Sequence, residues 1–105
     1  MEVTTEAGKS FVVSITSVDD EVIGTINNLV FADLRFGQPA NAYELKNTLH
    51  TGDNYLMLLC INKAGPWEIG FSITIDGVAR PDLNKNVIGQ EGDGLTYVFA
   101  LTIKI

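Results

Sequence analysis

Cysteine and histidine are almost missing from this chain. With one cysteine, Cys60, no intramolecular disulfide can form. With one histidine, His50, there is no Cys/His cluster for a zinc site. Cys60 stands mid-strand among Leu and Ile, the setting of a small buried hydrophobe, while His50 stands beside a turn and faces solvent. A Cys–His nucleophilic pair therefore finds no support. Basic residues are also few. Seven of them, scattered along the chain, face thirteen acidic residues, giving a net charge of −6 and a pI near 4.5. Such a surface repels phosphate backbones and anionic headgroups, which argues against nucleic acid and membrane as partners. No apolar run approaches the roughly 20 residues of a membrane-spanning helix. Met1-Glu2-Val3-Thr4-Thr5-Glu6 has no positive region followed by an apolar core, so no signal peptide is visible and the compartment stays open. No stretch carries a sustained helical period.

What is present is alternation. The chain has 105 residues, 46% of them hydrophobic, enough for one domain spanning residues 1–105 with a real core. Phe11 to Val18 reads as a strand with Phe11, Val13 and Ile15 inward. Asp19-Asp20-Glu21 reads as a solvated loop; its carboxylates lack the spaced ligands and turn glycine of a calcium loop, so no metal is assigned. Val22–Ile26 and Leu29–Leu34 are β-rich, either two strands joined by a tight turn at Asn27-Asn28 or one long strand bulged there. Residues 36–41 form a loop broken by Gly37 and Pro39. Residues 42–46 suit a short strand, followed by a single helical turn at Asn47-Thr48-Leu49-His50.

The stretch from Gly52 to Asp76 organises the rest. Tyr55-Leu56-Met57-Leu58-Leu59-Cys60-Ile61 is apolar on both strand faces, the pattern of a strand covered on both sides. After Asn62–Pro66, Ile69, Phe71, Ile73 and Ile75 alternate with polar or small residues, and the two strands read as a central hairpin. Residues 77–94 form a long Gly- and Pro-containing connection, with short edge pairings at Val78-Ala79 and Val87-Ile88. From Leu95 to Ile105 the alternation resumes and runs to the last residue. Strands this short, punctuated by turns, make an all-β fold, a two-sheet antiparallel β-sandwich of jelly-roll or immunoglobulin-like type.

The segments Leu49-His50-Thr51-Gly52-Asp53-Asn54-Tyr55-Leu56-Met57-Leu58 and Asn62-Lys63-Ala64-Gly65-Pro66-Trp67 resemble a pattern of galactose-binding-like jelly-roll domains, among them sugar-binding modules attached to glycoside hydrolases. The resemblance implies a non-catalytic binding or accessory domain with carbohydrate as a ligand. Trp67, at a Gly-Pro turn, would stack on a sugar ring, with Asp53, Asn54 and Asn62 supplying hydrogen bonds. The competing role for Trp67 is a plug at the open end of the sandwich, its indole N–H bonded to backbone. No catalytic residue and no cofactor is assigned: paired carboxylates able to cleave a glycoside are easy to imagine among thirteen acids, and Gly89–Gly94 carries two acids that would repel a phosphate. The alternative function is a structural or assembly protein that forms homo-oligomers, or docks to another protein, through a sheet edge or face. The strands Leu95–Ile105 and 31–36 carry few edge guards.

Overall fold

The computed structural model describes residues 1–105. Its strands are β1 (Glu2–Thr4), β2 (Phe11–Asp19), β3 (Glu21–Ile26), β4 (Leu29–Arg35) and β5 (Asn41–Glu44) in the first half. The second half holds β6 (Asp53–Asn62), β7 (Trp67–Ile75), β8 (Val78–Ala79), β9 (Lys85–Gly89) and β10 (Gly94–Lys104). Two 3-10 turns, Lys46–Thr48 and Pro81–Leu83, are the only helical pieces. One sheet, here sheet A, has the order β1-β10-β6-β3-β4; the other, sheet B, has β5-β2-β7, with β8 and β9 both bonded along the far side of β7. This is the expected all-β sandwich, antiparallel except where β1 pairs parallel with β10.

The core lies between the sheets and follows the period of two. From β2 come Phe11, Val13 and Ile15, from β7 Ile69, Phe71 and Ile73, and from β10 Phe99, Leu101 and Ile103, all buried. The Phe71 and Phe99 rings meet across the layers at 4.7 Å, a spacing that adds to simple area burial. Both two-residue hairpins have the turn chemistry their twist demands. Asn27 and Asn28 hold φ of 49° and 68°, and Asp76 and Gly77 hold 52° and 76°, the positive values that a type I′ turn needs at both centres. The open choice at Asn27-Asn28 thus resolves to a tight turn, with a bulge nearby. Between Gly24 and Thr25 the pairing with β4 slips by one residue, and Phe31 turns inward. Its ring covers Gly24, where a Cβ would stand 2.6 Å from Phe31 Cζ, and meets Tyr43 of β5 edge-on at 5.4 Å. That contact closes one side of the sandwich.

Several expectations change. β6 and β7 are not a hairpin: β6 is the middle strand of sheet A and β7 is central in sheet B. Their connection crosses between the layers, so their inward apolar rows face each other across the core. Nor is β6 covered on both sides. Its inward residues Asn54, Leu56, Leu58, Cys60 and Asn62 are buried, whereas Tyr55, Met57, Leu59 and Ile61 lie on the uncovered outer face. The Asp19–Glu21 loop shrinks to Asp20 alone, since Asp19 ends β2 and Glu21 begins β3. The polar N-terminus is tied down: Val3 is buried as β1 pairs with β10. The short strand at 42–46, the helical turn after it and the pairings at 78–79 and 87–88 are present as β5, Lys46–Thr48, β8 and β9.

Phe71→Ala should lower the unfolding free energy by about 3–5 kcal/mol in urea denaturation, the usual cost of emptying a buried aromatic site. A loss below about 1 kcal/mol would mean that the core does not depend on the Phe71–Phe99 contact.

Candidate binding site

The four residues singled out as ligand contacts do not share one site: Asn62 and Trp67 both bond to the Glu91-Gly92 segment, and Asp53 and Asn54 lie at the other end of β6. Asp53 and Asn54 begin β6 and Asn62 ends it, so at about 3.3 Å per residue they are roughly 30 Å apart. Asn54 is fully buried and spent on backbone and on one neighbour. Its Nδ2 donates to the His50 carbonyl at 2.8 Å, and its Oδ1 accepts the His50 N–H at 3.0 Å and the Asn27 amide at 2.9 Å. Asn62, 1% exposed, donates to the carbonyls of Gly65 and Gly92. Asp53 is exposed opposite Lys104 on the outer side of sheet A.

Trp67 is 9% exposed, and its indole is enclosed. The ring lies over Gly89, where a Cβ would come within 2.0 Å of Cε2. Tyr97 flanks it at 6.4 Å, and Nε1–H donates to the Glu91 carbonyl at 3.0 Å. A ring seated this way closes the end of the sandwich and offers no face for a sugar to stack on. Only a side-chain-free residue at position 89 permits the fit, and sequence reading had no means of pairing Gly89 with Trp67.

An open cleft of about 420 Å³ lies elsewhere, lined by Asp20, Glu21, Arg35, Phe36 and Lys63. It is built where the β2–β3 connection, the end of β4 and the turn after β6 come together. Asp20 holds these parts in place: its carbonyl accepts the Phe36 N–H at 2.7 Å and its carboxylate accepts the Lys63 N–H at 2.8 Å. Arg35 reaches Glu21 only through Nε, at 3.6 Å. Beyond Arg35 the chain folds back, the Arg35 N–H donating to the Gln38 side chain at 2.6 Å and the Arg35 carbonyl accepting the Gln38 N–H. Phe36 is left 71% exposed on the cleft wall. The signal for it in the sequence is an aromatic residue directly before Gly37-Gln38-Pro39, which the loop reading of residues 36–41 does not single out.

The carboxyls around the cleft divide electrostatically. The Lys63 N–H holds the Asp20 carboxyl below its ordinary range. A hydrogen bond shared with Asp33 pushes Glu21 upward, and desolvation together with Asp20 and Glu68 pushes Asp19 upward. Asp19 stands directly opposite Glu68 in the β2–β7 ladder, a like-charge pair that costs stability in a sheet. No serine, cysteine or histidine lines the cleft. His50 sits beside Asn54 at the start of β6, its Nδ1 against the Thr51 carbonyl, and Cys60 is buried with burial pushing its thiol up. No group of three His, Cys, Asp or Glu side chains converges as metal ligands do.

Comparison of the chain with protein-family models, with curated proteins and with solved structures finds no match.

Asp19 supplies a pH test. Its carboxyl is raised in the fold, so the associated stability is fully present below the unperturbed 3.8 and is lost as pH rises through the folded value. Asp19→Asn, which keeps the size and a donor toward Asp20, should therefore raise the denaturation midpoint at neutral pH. The gain should vanish below pH 3.8. A gain of equal size at both pH values, or none at neutral pH, would contradict the like-charge account.

Proposed function

We propose that this chain is a non-catalytic binding module and that its ligand is a neutral saccharide held in the Asp20–Lys63 cleft. The observation that carries the reading is Phe36, whose ring is 71% exposed on the wall of a cleft otherwise made of charged groups. A pyranose has a C–H face that suits an aromatic ring and a rim of hydroxyls that both donate and accept. Ligand sites combine such an apolar contact with a few placed polar groups. Asp20 and Glu21 accept from hydroxyls, and Arg35 and Lys63 donate to them. Those four charges cancel, so a ligand of either sign meets a repelling neighbour as well as an attracting one. A neutral polar molecule meets neither penalty.

The backbone bonds from Phe36 and Lys63 to Asp20 fix the cleft before any ligand arrives, which reduces the ordering cost of binding. The site differs from the one centred on Trp67, and the two are separable by mutation. Phe36→Ala should weaken binding to the best neutral glycan on an array by about tenfold or more, as expected for a lost aromatic anchor, while leaving the unfolding midpoint unchanged. Phe36→Trp should retain binding. Trp67→Ala should act instead through lower stability. Glycan binding that survives Phe36→Ala, or a folded protein that binds no neutral glycan on the array, would overturn the proposal.

A further inference from the structure

The strand β6 has a sequence written for two covered faces, and in one chain only one is covered. Its outward residues form apolar rows with the neighbouring strands. Leu59 lies between Ile23 of β3 and Val98 of β10, and Met57 lies between Thr25 and Ala100. Val98 is 43% exposed, and Tyr55, next along the strand, is 55% exposed. A contiguous apolar patch at the centre of a sheet marks a surface that is buried in use. We propose that a second copy of this chain covers the outer face of sheet A, making a symmetric dimer in which β6 packs over β6.

Three features select a second copy. The patch is centred on the middle strand of five, with apolar residues on both flanks, so a two-fold axis passing over β6 superimposes apolar on apolar, as an isologous interface requires. The rows themselves carry no charge. At the ends of the face Arg35 is paired with Glu21 and Lys104 with Glu2, while Asp53 has no ion pair and lies at the margin. Asp33, the carboxylate nearest the rows, stands on the edge strand β4. Packing two such faces therefore brings no unpaired like charges together at the centre. The size also fits. The chain measures 41 × 23 × 21 Å, so a long side offers about the 800 Å² per partner that a standard stable interface buries.

The edges at β10 and β4 are interrupted. β10 is covered by β1 only over Thr102–Lys104, and the rest of that side is an edge interrupted by a bulge between Leu95 and Tyr97. β4 is an edge strand, but it is bulged at Phe31, and Gln38 occupies both the N–H and the carbonyl of Arg35. Bulges and occupied edge groups are the usual guards against strand addition.

Sedimentation or light scattering of the full chain across a dilution series tests this. We expect twice the chain mass at high micromolar concentration, with tighter association at physiological than at low salt, because screening relieves the repulsion between two copies of charge −6. Ala100→Glu, at an exposed position, should raise the dissociation constant by about tenfold or more, the scale of a disrupted interface centre. Leu59→Lys should do the same, and circular dichroism identifies any variant that fails to fold. Val78→Glu, on the edge of sheet B, should change nothing. A strict monomer at high micromolar concentration in both salts would overturn the proposal. So would a dimer unaffected by a folded Ala100→Glu.

Discussion

The inward row of β6 is the constraint on which the rest of this molecule depends. It reads Asn54, Leu56, Leu58, Cys60, Asn62, with every member at most 1% exposed. Three apolar side chains hold the middle of the core, and a buried asparagine stands at either end. A buried amide is tolerated only where its hydrogen bonds are supplied. Asn54 meets that demand with its whole amide and Asn62 with its Nδ2, each by gathering chain segments at one end of the strand. Asn54 joins the loop before β6 to the Asn27 turn and to the Ile103 carbonyl of β10. Asn62 joins the turn after β6 to the loop before β10. The two ends are unequal, because Asn54 uses both its oxygen and its nitrogen while Asn62 Oδ1 has no partner.

This explains how a chain with no disulfide closes its sandwich. The connections from β1 to β2, from β5 to β6, from β6 to β7 and from β9 to β10 all pass between the sheets, and such crossings lack the ladder bonds that fix a hairpin. Side-chain amides, the Trp67 indole on the Glu91 carbonyl and the Glu44 carboxylate on Ser10 and Phe11 fix them instead. Burial alone would raise the Glu44 carboxyl, but the Ser10 hydroxyl and the Phe11 and Lys46 N–H groups outweigh it and hold the group low. Asn54 and Asn62, two of the polar residues that look like ligand contacts in the sequence, are thus fasteners of the loops. The surfaces proposed for partners are the charged cleft beneath Phe36 and the apolar outer face of sheet A.

What could be read from the sequence was local. A period of two placed Phe11, Val13, Ile15, Ile69, Phe71 and Ile73 on inner faces, and Asn27-Asn28 and Asp76-Gly77 marked turns through their tolerance of positive φ. The assignment of strands to sheets could not be read, because alternation is the same whether the next strand pairs alongside or crosses to the other layer. β6 and β7 show this most clearly. β1 was hidden because a three-residue strand has too little alternation to detect, and Val3 gains its burial from the far end of the chain. The cleft was hidden for a similar reason. Asp20, Arg35 and Lys63 lie at the ends of β3, β4 and β6, far apart in sequence, and only the pairing of those strands side by side in sheet A brings them together. The apolar outer face was legible in one respect, since β6 declared two apolar sides; what the sequence did not say is that the second side stays open in a single chain.

Asn54 is the most direct test of this account. Asn54→Ala leaves the His50 N–H, the Asn27 amide and the carbonyls of His50 and Ile103 buried or part-buried without that partner, and each stranded group costs about 1–3 kcal/mol. Urea unfolding of Asn54→Ala beside Asp53→Ala, its exposed neighbour, measures that cost against a matched truncation. The account predicts a loss of about 3 kcal/mol or more for Asn54→Ala and almost none for Asp53→Ala. A loss below about 1 kcal/mol at Asn54 would contradict the view that buried amides close the ends of this sandwich.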